Sequence, residues 1–386
     1  MKQKFYFAAL LAVIPLAQAA TDSLDEVVVT ATRSEQRINQ TLQSTSVISQ
    51  SDIAASGATD VPSLLRNLAG VEVAQTGGIG SQSSLYLRGS NSTHILVLVD
   101  GVRISSATTG ATAIDQFMLD QVDRIEVVRG NVSSLYGSEA IGGVVQIFTK
   151  RGKGAPAAIV STGFGTHATR RASAAFGGEV EGASFHVGVS KLATDGVSAI
   201  NATLAPSANP DVDGYDNTSV SARGGYVFNS AHRLDVSVLH SLGKVQTDNA
   251  FGLPTDRDES DTTLSKWSLA SSNRLLDNWE SRVTLAQGTD DLVSRSNGLK
   301  TSAYKTVSQQ LAWQNTLNIG DQGVLLLAAE RLQQNVSATT AFSADTRSTN
   351  SLLAGYTADY GVHQVQVNVR QDKYSDFGSA NTGLLG

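Results

Sequence analysis

From about residue 157 to the end of the chain, apolar and polar side chains alternate with a period of two. In 184–190, 233–238 and 364–370, every second residue is Phe, Leu or Val and the residues between them are mostly polar, charged or glycine. A strand turns successive side chains to opposite faces, so the pattern predicts strands with one apolar and one polar face. We count about eleven such strands.

The connections between these strands alternate in length. Four are short, near 229–230, 277–278, 320–323 and 360–361, and four are long, at about 194–217, 244–262, 289–302 and 337–349. Tight turns on one edge and extended loops on the other are typical of an antiparallel transmembrane β-barrel, whereas a soluble sandwich has no reason to sort loop length by edge. The polar face would line a lumen, and the apolar face would contact lipid.

The barrel is expected to be incomplete. Single-chain bacterial barrels normally have an even number of strands, and at Asn381–Gly386 another strand should begin. No terminal aromatic strand is present to pair with the first one. The sequence therefore predicts about half of a barrel.

The N-terminus is typical of a secretory signal peptide. Lys2 and Lys4 precede an apolar run, Phe5–Leu16, and a small-residue ending at Ala17–Ala20. The run is too short to cross a bilayer as a helix, and no later stretch is long enough. The mature chain is therefore expected to be either soluble or a membrane β-protein.

Composition excludes several function classes. The chain has no cysteine, so disulfides, thiolate metal sites and a catalytic thiol are absent. Its 29 basic and 35 acidic residues are mixed along the sequence and give a net charge of −6, which leaves no basic patch for nucleic acid. The six histidines are scattered, and neither a Gly-x-Ser-x-Gly nor a His-Glu-x-x-His motif occurs, so we do not predict an enzyme.

Residues 44–151 have the pattern of a compact α+β unit. Ser51 or Asp52 is expected to cap a helix through Ala55, and Asp60 a second helix over 61–68 that ends at Gly70. The predicted strands and two loops rich in glycine, serine and threonine are as follows: strands at 47–49, 85–87, 94–99, 125–128 and 144–148, and loops at 75–84 and 105–116.

Two further segments are ambiguous from the residues alone. The β-branched patch in 25–33 is either a strand that adds to a partner's sheet or, as the residues alone favour, an ordinary first strand. In Asp211-Val212-Asp213-Gly214, alternate carboxylates could chelate Ca²⁺, although acids in an exposed loop are more often only solvated.

Four ordered motifs in the α+β unit resemble the plug motifs of TonB-dependent outer-membrane receptors: Leu87–Ser90, His94–Arg103, Arg124–Gly130 and Leu135–Val145. Within that family the chain is most similar to the receptors for cobalamin (vitamin B12). The resemblance implies an α+β plug domain followed by a transmembrane β-barrel in the bacterial outer membrane. It also implies four segments: a signal peptide at 1–20, a TonB-box segment and linker at 21–43, a plug at 44–152 and the N-terminal part of the barrel at 153–386.

The same resemblance implies roles for individual residues. It makes the N-terminal patch the segment that pairs with TonB, namely Glu26, Val27, Val28, Val29, Thr30 and Ala31. It makes the two plug loops substrate-binding, through Gln75, Gly77, Gly78, Gly80, Ser81, Gln82, Ser83, Thr109, Gly110 and Ala111. Structural Ca²⁺ ligands are implied at Asp211 and Asp213, which match the family well, and at Asp195, Asp248 and Asp261, which match approximately; Thr247 stands where the family has a tyrosine.

The expected function is TonB-driven import of cobalamin across the outer membrane, with TonB, cobalamin and membrane lipid as partners and no catalytic cofactor. A ferric-siderophore or haem receptor would have the same architecture and the same plug motifs. A plain porin would need neither a plug nor a TonB-like box. A truncated product without function is the remaining alternative, because open strand edges are costly in lipid.

Overall fold

The computed structural model describes residues 28–29, 33, 36–38, 41–201, 203–320 and 322–386. The predicted signal peptide lies outside these residues. The N-terminal part of the described chain forms one short antiparallel ladder, β1 (Val28–Val29) with β2 (Gln36–Arg37). This ladder is separate from the sheet of the domain that follows.

The α+β unit contains three helices and seven strands. In chain order they are β3 (Ser44–Ile48), α1 (Gln50–Ser56), α2 (Val61–Leu65), β4 (Val71–Gln75), β5 (Ser83–Leu87), β6 (Ile95–Val99), β7 (Val102–Arg103), β8 (Val122–Arg129), α3 (Ser133–Tyr136) and β9 (Gly143–Thr149). Five strands form one sheet in the order β3-β8-β9-β6-β7, in which only β6 and β9 are parallel. A separate hairpin joins β4 to β5.

The two predicted helices are present with different limits. Asp60 caps α2 as predicted, with its Oδ1 accepting from Ser63 N at 2.8 Å, but the helix ends at Leu65 rather than at residue 68. The cap of α1 is Ser49, not Ser51 or Asp52. Asp52 instead completes a capping box, because its carboxylate accepts from Ser49 N at 2.8 Å.

Twelve antiparallel strands form the second part of the molecule, which we call the wall. They are β10 (Ala157–Phe164), β11 (Arg170–Val180), β12 (Ala183–Thr194), β13 (Tyr215–Asn229), β14 (His232–Thr247), β15 (Asp258–Leu276), β16 (Trp279–Ser296), β17 (Leu299–Ile319), β18 (Gly323–Ala338), β19 (Thr346–Tyr360), β20 (His363–Tyr374) and β21 (Gly378–Leu385). Each pairs with its sequence neighbours, and β10 does not pair with β21, so the sheet of the described chain is unclosed.

The count of about eleven strands was one too low. The twelfth strand is β21, which begins at Gly378, shortly before the place where another strand was expected to begin. It pairs with β20 over eight residue pairs from Tyr374↔Gly378 to Val367↔Leu385. Its residues Gly378–Gly383 are glycine, serine, alanine, asparagine and threonine, so they carry no apolar alternation that would reveal a strand.

The lengths of the connections agree with the prediction except at one place. Long connections occur at 195–214 and 248–257, a shorter one at 339–345, and tight turns at 230–231, 277–278, 320–322 and 361–362. The predicted loop at 289–302 was wrong: β16 and β17 continue to a two-residue turn, Asn297-Gly298. Both turn residues have positive φ, +53° and +79°, as a type I′ hairpin requires.

The α+β unit, which we call the plug after the predicted segment, packs against the inward face of the wall. Its main apolar core, which includes Val97, Ile125 and Ile147, is continuous with Leu239 and Leu264 of the wall. No helix in the described residues is long and apolar enough to cross a membrane. Burial of one wall face against the plug leaves the other face, with its Val, Leu, Phe and Trp side chains, exposed.

Candidate substrate and coupling sites

The predicted substrate loops lie at the end of the plug that meets the long connections of the wall; we call it the apical end. A Cβ placed on Gly77 would lie 3.4 Å from the Cβ of Ala199, in the 195–214 connection. Gly80 lies against the ring of Tyr215, where a Cβ would be 2.1 Å from a ring carbon, and its φ is +82°. Only glycine fits at position 80, so the loop is built to press on the wall.

The ten predicted loop residues differ in exposure. Gln82 and Thr109 are exposed, and Gln75, Gly77, Gly78, Gly110 and Ala111 are half-buried, whereas Gly80, Ser81 and Ser83 are buried. Ser81 Oγ and Gln75 Nε2 both donate to the carbonyl oxygen of Gly78, at 2.7 and 2.9 Å. The three buried residues therefore shape the loop, and the exposed positions are those that present atoms to a ligand in this arrangement.

Gln116, at the end of the second loop, is a buried hub between plug and wall. Its Oε1 accepts from Tyr215 OH at 3.1 Å and from Asn217 Nδ2 at 3.2 Å, and its carbonyl oxygen accepts from Ser241 Oγ at 2.9 Å. Its Nε2 donates to Asp115 Oδ2 at 2.6 Å. A single uncharged side chain thus ties the apical end of the plug to β13 and, through its own backbone, to β14.

Asp115 is buried in the plug beside this hub. Burial raises the pKa of its carboxyl group to about 7, although the hydrogen bond from Gln116 and backbone N–H groups act in the opposite direction. The carboxyl group is therefore close to half-protonated at neutral pH.

Three of the five predicted metal ligands lie together on the long connections. One carboxylate oxygen from each of Asp211, Asp213 and Asp248 lies within 4.8 Å of the other two. Asp213 is buried, and desolvation followed by the nearby charge of Asp248 raises its pKa to about 6. Ser198 Oγ donates to Asp248 Oδ2 at 3.0 Å, and Ala199 N donates to Asp213 Oδ2 at 3.3 Å, so the acids join the 195–214 and 248–257 connections.

Asp195 and Asp261 do not belong to this group. Asp261 lies within β15, where its carboxylate forms an ion pair with Arg295 on β16. Asp195 is exposed at the start of the connection, and its backbone N–H donates to His167 O at 2.9 Å. The structure thus joins Asp248 to Asp211 and Asp213, and it separates the other two candidates from them.

Of the six predicted TonB-pairing residues, only Val28 and Val29 are described; Glu26, Val27, Thr30 and Ala31 lie outside the described residues. Beyond β1, the Arg33 guanidinium forms an ion pair with Glu330 on β18, and Arg33 O accepts from Gln314 Nε2 at 2.9 Å. Glu330 also pairs with Arg370 on β20 at 2.9 Å. The segment that follows the predicted TonB box is therefore attached to the wall by charge and by a backbone hydrogen bond.

A second charged contact holds the plug itself. Asp100, in the turn after β6, forms ion pairs with Lys266, whose side chain is completely buried, and with Arg223 at 3.1 Å. Thr149 N and Oγ1 donate to the same carboxylate at 2.9 and 2.8 Å. Burial alone would raise the pKa of Asp100, but Lys266, Arg223 and the hydrogen bonds lower it to about 2.

The sequence did not reveal these plug–wall partners. Arg33 and Glu330 are 297 positions apart, and Asp100 and Lys266 are 166 apart, so no local pattern connects them. The available signal was a charged residue at an inward position of a strand, as at Lys266 and Glu330. It predicts a buried partner but not which one.

Comparisons with known proteins agree with this arrangement. Residues 37–144 match the family model of the TonB-dependent Receptor Plug Domain. The vitamin B12 transporter BtuB of Photobacterium profundum is 32% identical over 370 residues, which is 95% of this chain and 60% of the relative. BtuB of Vibrio cholerae serotype O1 (strain O395) is 31% identical over 365 residues, 93% of this chain and 59% of the relative.

Solved structures share the fold at low identity. The siderophore receptor PirA of Pseudomonas aeruginosa superposes with a TM-score of 0.67 and 21% identity, over 88% of this chain and 58% of that one. FpvA of P. aeruginosa, bound to a heterologous pyoverdine, superposes with a TM-score of 0.72 and 13% identity, over 93% of this chain and 55% of that one. The chain belongs to the TonB-dependent receptor family, a family of receptors and transporters rather than enzymes, and is similar within it to BtuB. It spans about 60% of the length of those relatives.

Proposed function

We propose that the protein imports cobalamin across the bacterial outer membrane with energy supplied through TonB. The observation that carries this proposal is the similarity to vitamin B12 transporters, which extends over 95% of the chain and so includes the wall and its connections as well as the plug. The two solved receptor structures named above, PirA and FpvA, are 21% and 13% identical to this chain, so they support the architecture alone.

The apical end of the plug supplies the proposed substrate surface. Gln82 and Thr109 are exposed there, and the glycine-rich backbone beside them lets a large rigid ligand approach closely. The 195–214 connection lies against the first loop at Gly77 and Gly78. A substrate bound at this end would contact plug and wall connections together.

Ca²⁺ is proposed as a structural ion between the long connections. Asp211, Asp213 and Asp248 converge from two connections, and carboxylate oxygen is the ligand type that Ca²⁺ prefers. The ion would offset both the burial and the repulsion from Asp248 that raise the pKa of Asp213, and it would hold the two connections together above the plug. Three carboxylates supply only part of the six to eight oxygens, so backbone or water oxygens would complete the shell.

The N-terminal segment is proposed to transmit force from TonB. A strand of TonB would pair with Glu26–Ala31, so main-chain hydrogen bonds would carry the pull. In the structure Val28–Val29 already pair with Gln36–Arg37, and Arg33 is held by Glu330. TonB would therefore displace β2 from this ladder, and continued pulling would break the Arg33 contact before it reaches the plug.

Saturable binding of radiolabelled cyanocobalamin to isolated outer membranes tests the proposal, with and without a calcium chelator. Asp213→Asn should weaken binding and make it insensitive to chelation. The matched control is Asp195→Asn, which removes an acid from the same connection but outside the cluster.

Weaker binding on chelation in the wild type would support both cobalamin and the metal. Binding unaffected by chelation, or an equal effect of the two variants, would remove the metal and keep the substrate. If the protein reaches the outer membrane and no cyanocobalamin binds, the cobalamin assignment fails, and ferric siderophores and haem are the ligands to assay next.

A further inference from the structure

Outward-facing cations of the wall differ in whether a carboxylate on a neighbouring strand neutralises them. Four on β12–β17 are neutralised by carboxylates on a neighbouring strand: Lys191 with Asp216, Lys244 with Glu259, Arg295 with Asp261 and Lys305 with Asp291. Arg331 on β18 and Lys373 on β20 are exposed and have no such partner within the described residues. No outward position of β18–β21 in the described chain holds an Asp or Glu.

Arg331 and Lys373 lie in one row across the sheet. Arg331 is directly opposite Asn350 on β19, and Asn350 is directly opposite Lys373. Each step between opposed Cβ atoms is about 5 Å, so the two cations are held about 10 Å apart at their Cβ atoms. Long, exposed side chains can close that distance around one anion.

An apolar groove lies beside this row, on the side of the tight turns. Its volume is about 670 Å³. Ala329 and Ala354 form its floor, and four large apolar side chains stand around them: Trp313, Leu327, Leu352 and Val369. These four are 51%, 40%, 63% and 55% exposed. The register explains the depression, because each alanine is opposed on both neighbouring strands by a large side chain.

We propose that the groove and the cation pair bind one phosphate-bearing membrane lipid, with an acyl chain over Ala329 and Ala354 and the phosphate between Arg331 and Lys373. The order of the groups along the strands fits this occupant, since the cations lie toward the long connections and the apolar groove lies below them. Guanidinium and ammonium groups are strong phosphate ligands, and no protein carboxylate competes for them here. The inference rests on the proposed placement of the wall in the outer membrane.

A protein occupant fits the surface less well. The groove is centred on β18–β20, which already have two neighbours each, so their backbone groups are not open to a partner strand. Only its border at Asn381 and Thr382 belongs to β21, the last strand of the described sheet. Gln371 and Asn381 border the groove and pair with each other, with Gln371 Nε2 donating to Asn381 Oδ1 at 3.1 Å. What remains unsatisfied on this face is positive charge and apolar area, the two features of a lipid phosphate and its chain.

The test measures binding of a diphosphorylated acyl-glucosamine lipid (lipid A) to the detergent-solubilised receptor, by native mass spectrometry and by titration. The test variant is Arg331→Gln/Lys373→Gln. The control is Lys244→Gln/Lys305→Gln, which removes the same charge from the same face where protein carboxylates already neutralise it. One basic residue near an anionic headgroup contributes roughly fivefold in affinity, so the test variant should bind about 30-fold more weakly, and the control should change little.

A third variant, Ala354→Leu, fills the groove without changing charge and should also weaken lipid binding. Inorganic phosphate should not compete at millimolar concentration, because it lacks the chain. Equal losses in the two double variants, unchanged binding in Ala354→Leu, or competition by phosphate alone would each overturn the proposal. Cyanocobalamin binding and membrane insertion are measured on the same preparations. Failure of the wild-type protein to insert or to bind cyanocobalamin would refute the proposed function. Absence of the expected lipid effects in a receptor that inserts normally refutes only this inference.

Discussion

Two of the contacts that hold the plug to the wall have opposite chemistry. At Asp100, the plug carboxylate accepts from the fully buried Lys266, from the half-buried Arg223 and from Thr149. At Gln116, the oxygen of an uncharged amide accepts hydrogen bonds from Tyr215 and Asn217. Breaking the first leaves a charge in a low-dielectric site, whereas breaking the second leaves neutral dipoles, so the two contacts should differ in cost and in their response to pH.

This difference matches the positions of the two contacts. The charged contact joins the turn after β6 to Arg223 and Lys266, which lie near the middle of β13 and β15. The neutral contact lies at the apical end beside the proposed substrate loops, where small rearrangements must be possible. The plug is therefore expected to be firmly attached at the turn that carries Asp100 and more easily adjusted at its apical end.

The largest effect is expected from Asp100→Asn. Removing this charge leaves Lys266 buried without a counter-ion, and breaking one partner of a buried pair costs about 3–5 kcal/mol. Urea unfolding in detergent micelles, followed by tryptophan fluorescence, measures the loss. Adding Lys266→Met should recover most of it, and no recovery in the double variant would show that the ion pair is not the cause.

The pH dependence of the charged contact has a definite sign. The folded pKa of Asp100, about 2, lies below its ordinary value of 3.8. Its stabilising contribution is therefore present above about pH 4 and is lost as pH falls through about 2. The Asp100→Asn variant should lack this part of the acid transition.

Asp115→Asn should change stability with the opposite pH dependence. The folded pKa of Asp115 is raised from 3.8 to about 7, so ionisation costs stability as pH rises from about 4 to about 7 and remains costly above it. A shift of that size corresponds to up to about 4 kcal/mol. The variant should be the more stable protein at pH 8, with a flatter stability profile between pH 4 and 7. Parallel profiles for the two proteins would contradict the buried acid.

A smaller effect is expected from Gln116→Ala. Asn217 and Tyr215 would lose a shared acceptor, but Asn217 Nδ2 still donates to Tyr215 OH at 2.8 Å, so the cost should be about 2 kcal/mol. Hydrogen exchange should increase in the apical loops 75–84 and 105–116 and remain unchanged around Asp100. Gln82→Ala, an exposed glutamine in the first loop, is the control. Equal changes in both variants would show that Gln116 is not a hub.

The smallest effect is expected from Asp216→Asn on the outer face. Lys191 and Asp216 are about half exposed, so solvent screens their attraction and the loss should be below about 1 kcal/mol. A change in melting temperature as large as that of Asp100→Asn would erase the distinction between buried and exposed charge on which the comparison depends.

The sequence predicted the fold wherever one face of a strand is apolar. Alternation revealed β12, β14 and β20, but it disappears at the ends of β16 and β17, where residues such as Thr289, Asp290 and Ser294 are polar on both faces. There a strand looks like a loop, and the Asn297-Gly298 turn was the only local signal of a hairpin. Among the predicted metal ligands, three acids lie together, whereas Asp261 has a strand partner that no spacing could show.

Strands β16 and β17 are joined by the two-residue turn Asn297-Gly298, whereas β12 and β13 are joined by the twenty-residue connection 195–214. The two connections therefore differ in how readily they accept inserted residues. Inserting residues into a long connection costs little, because doubling its length adds only about 0.6 kcal/mol of closure entropy. Inserting one residue at 297–298 destroys the turn type and shifts the pairing of two long strands. New surface specificities should therefore accumulate by insertion on the β12–β13 side, while the β16–β17 side diversifies only by substitution.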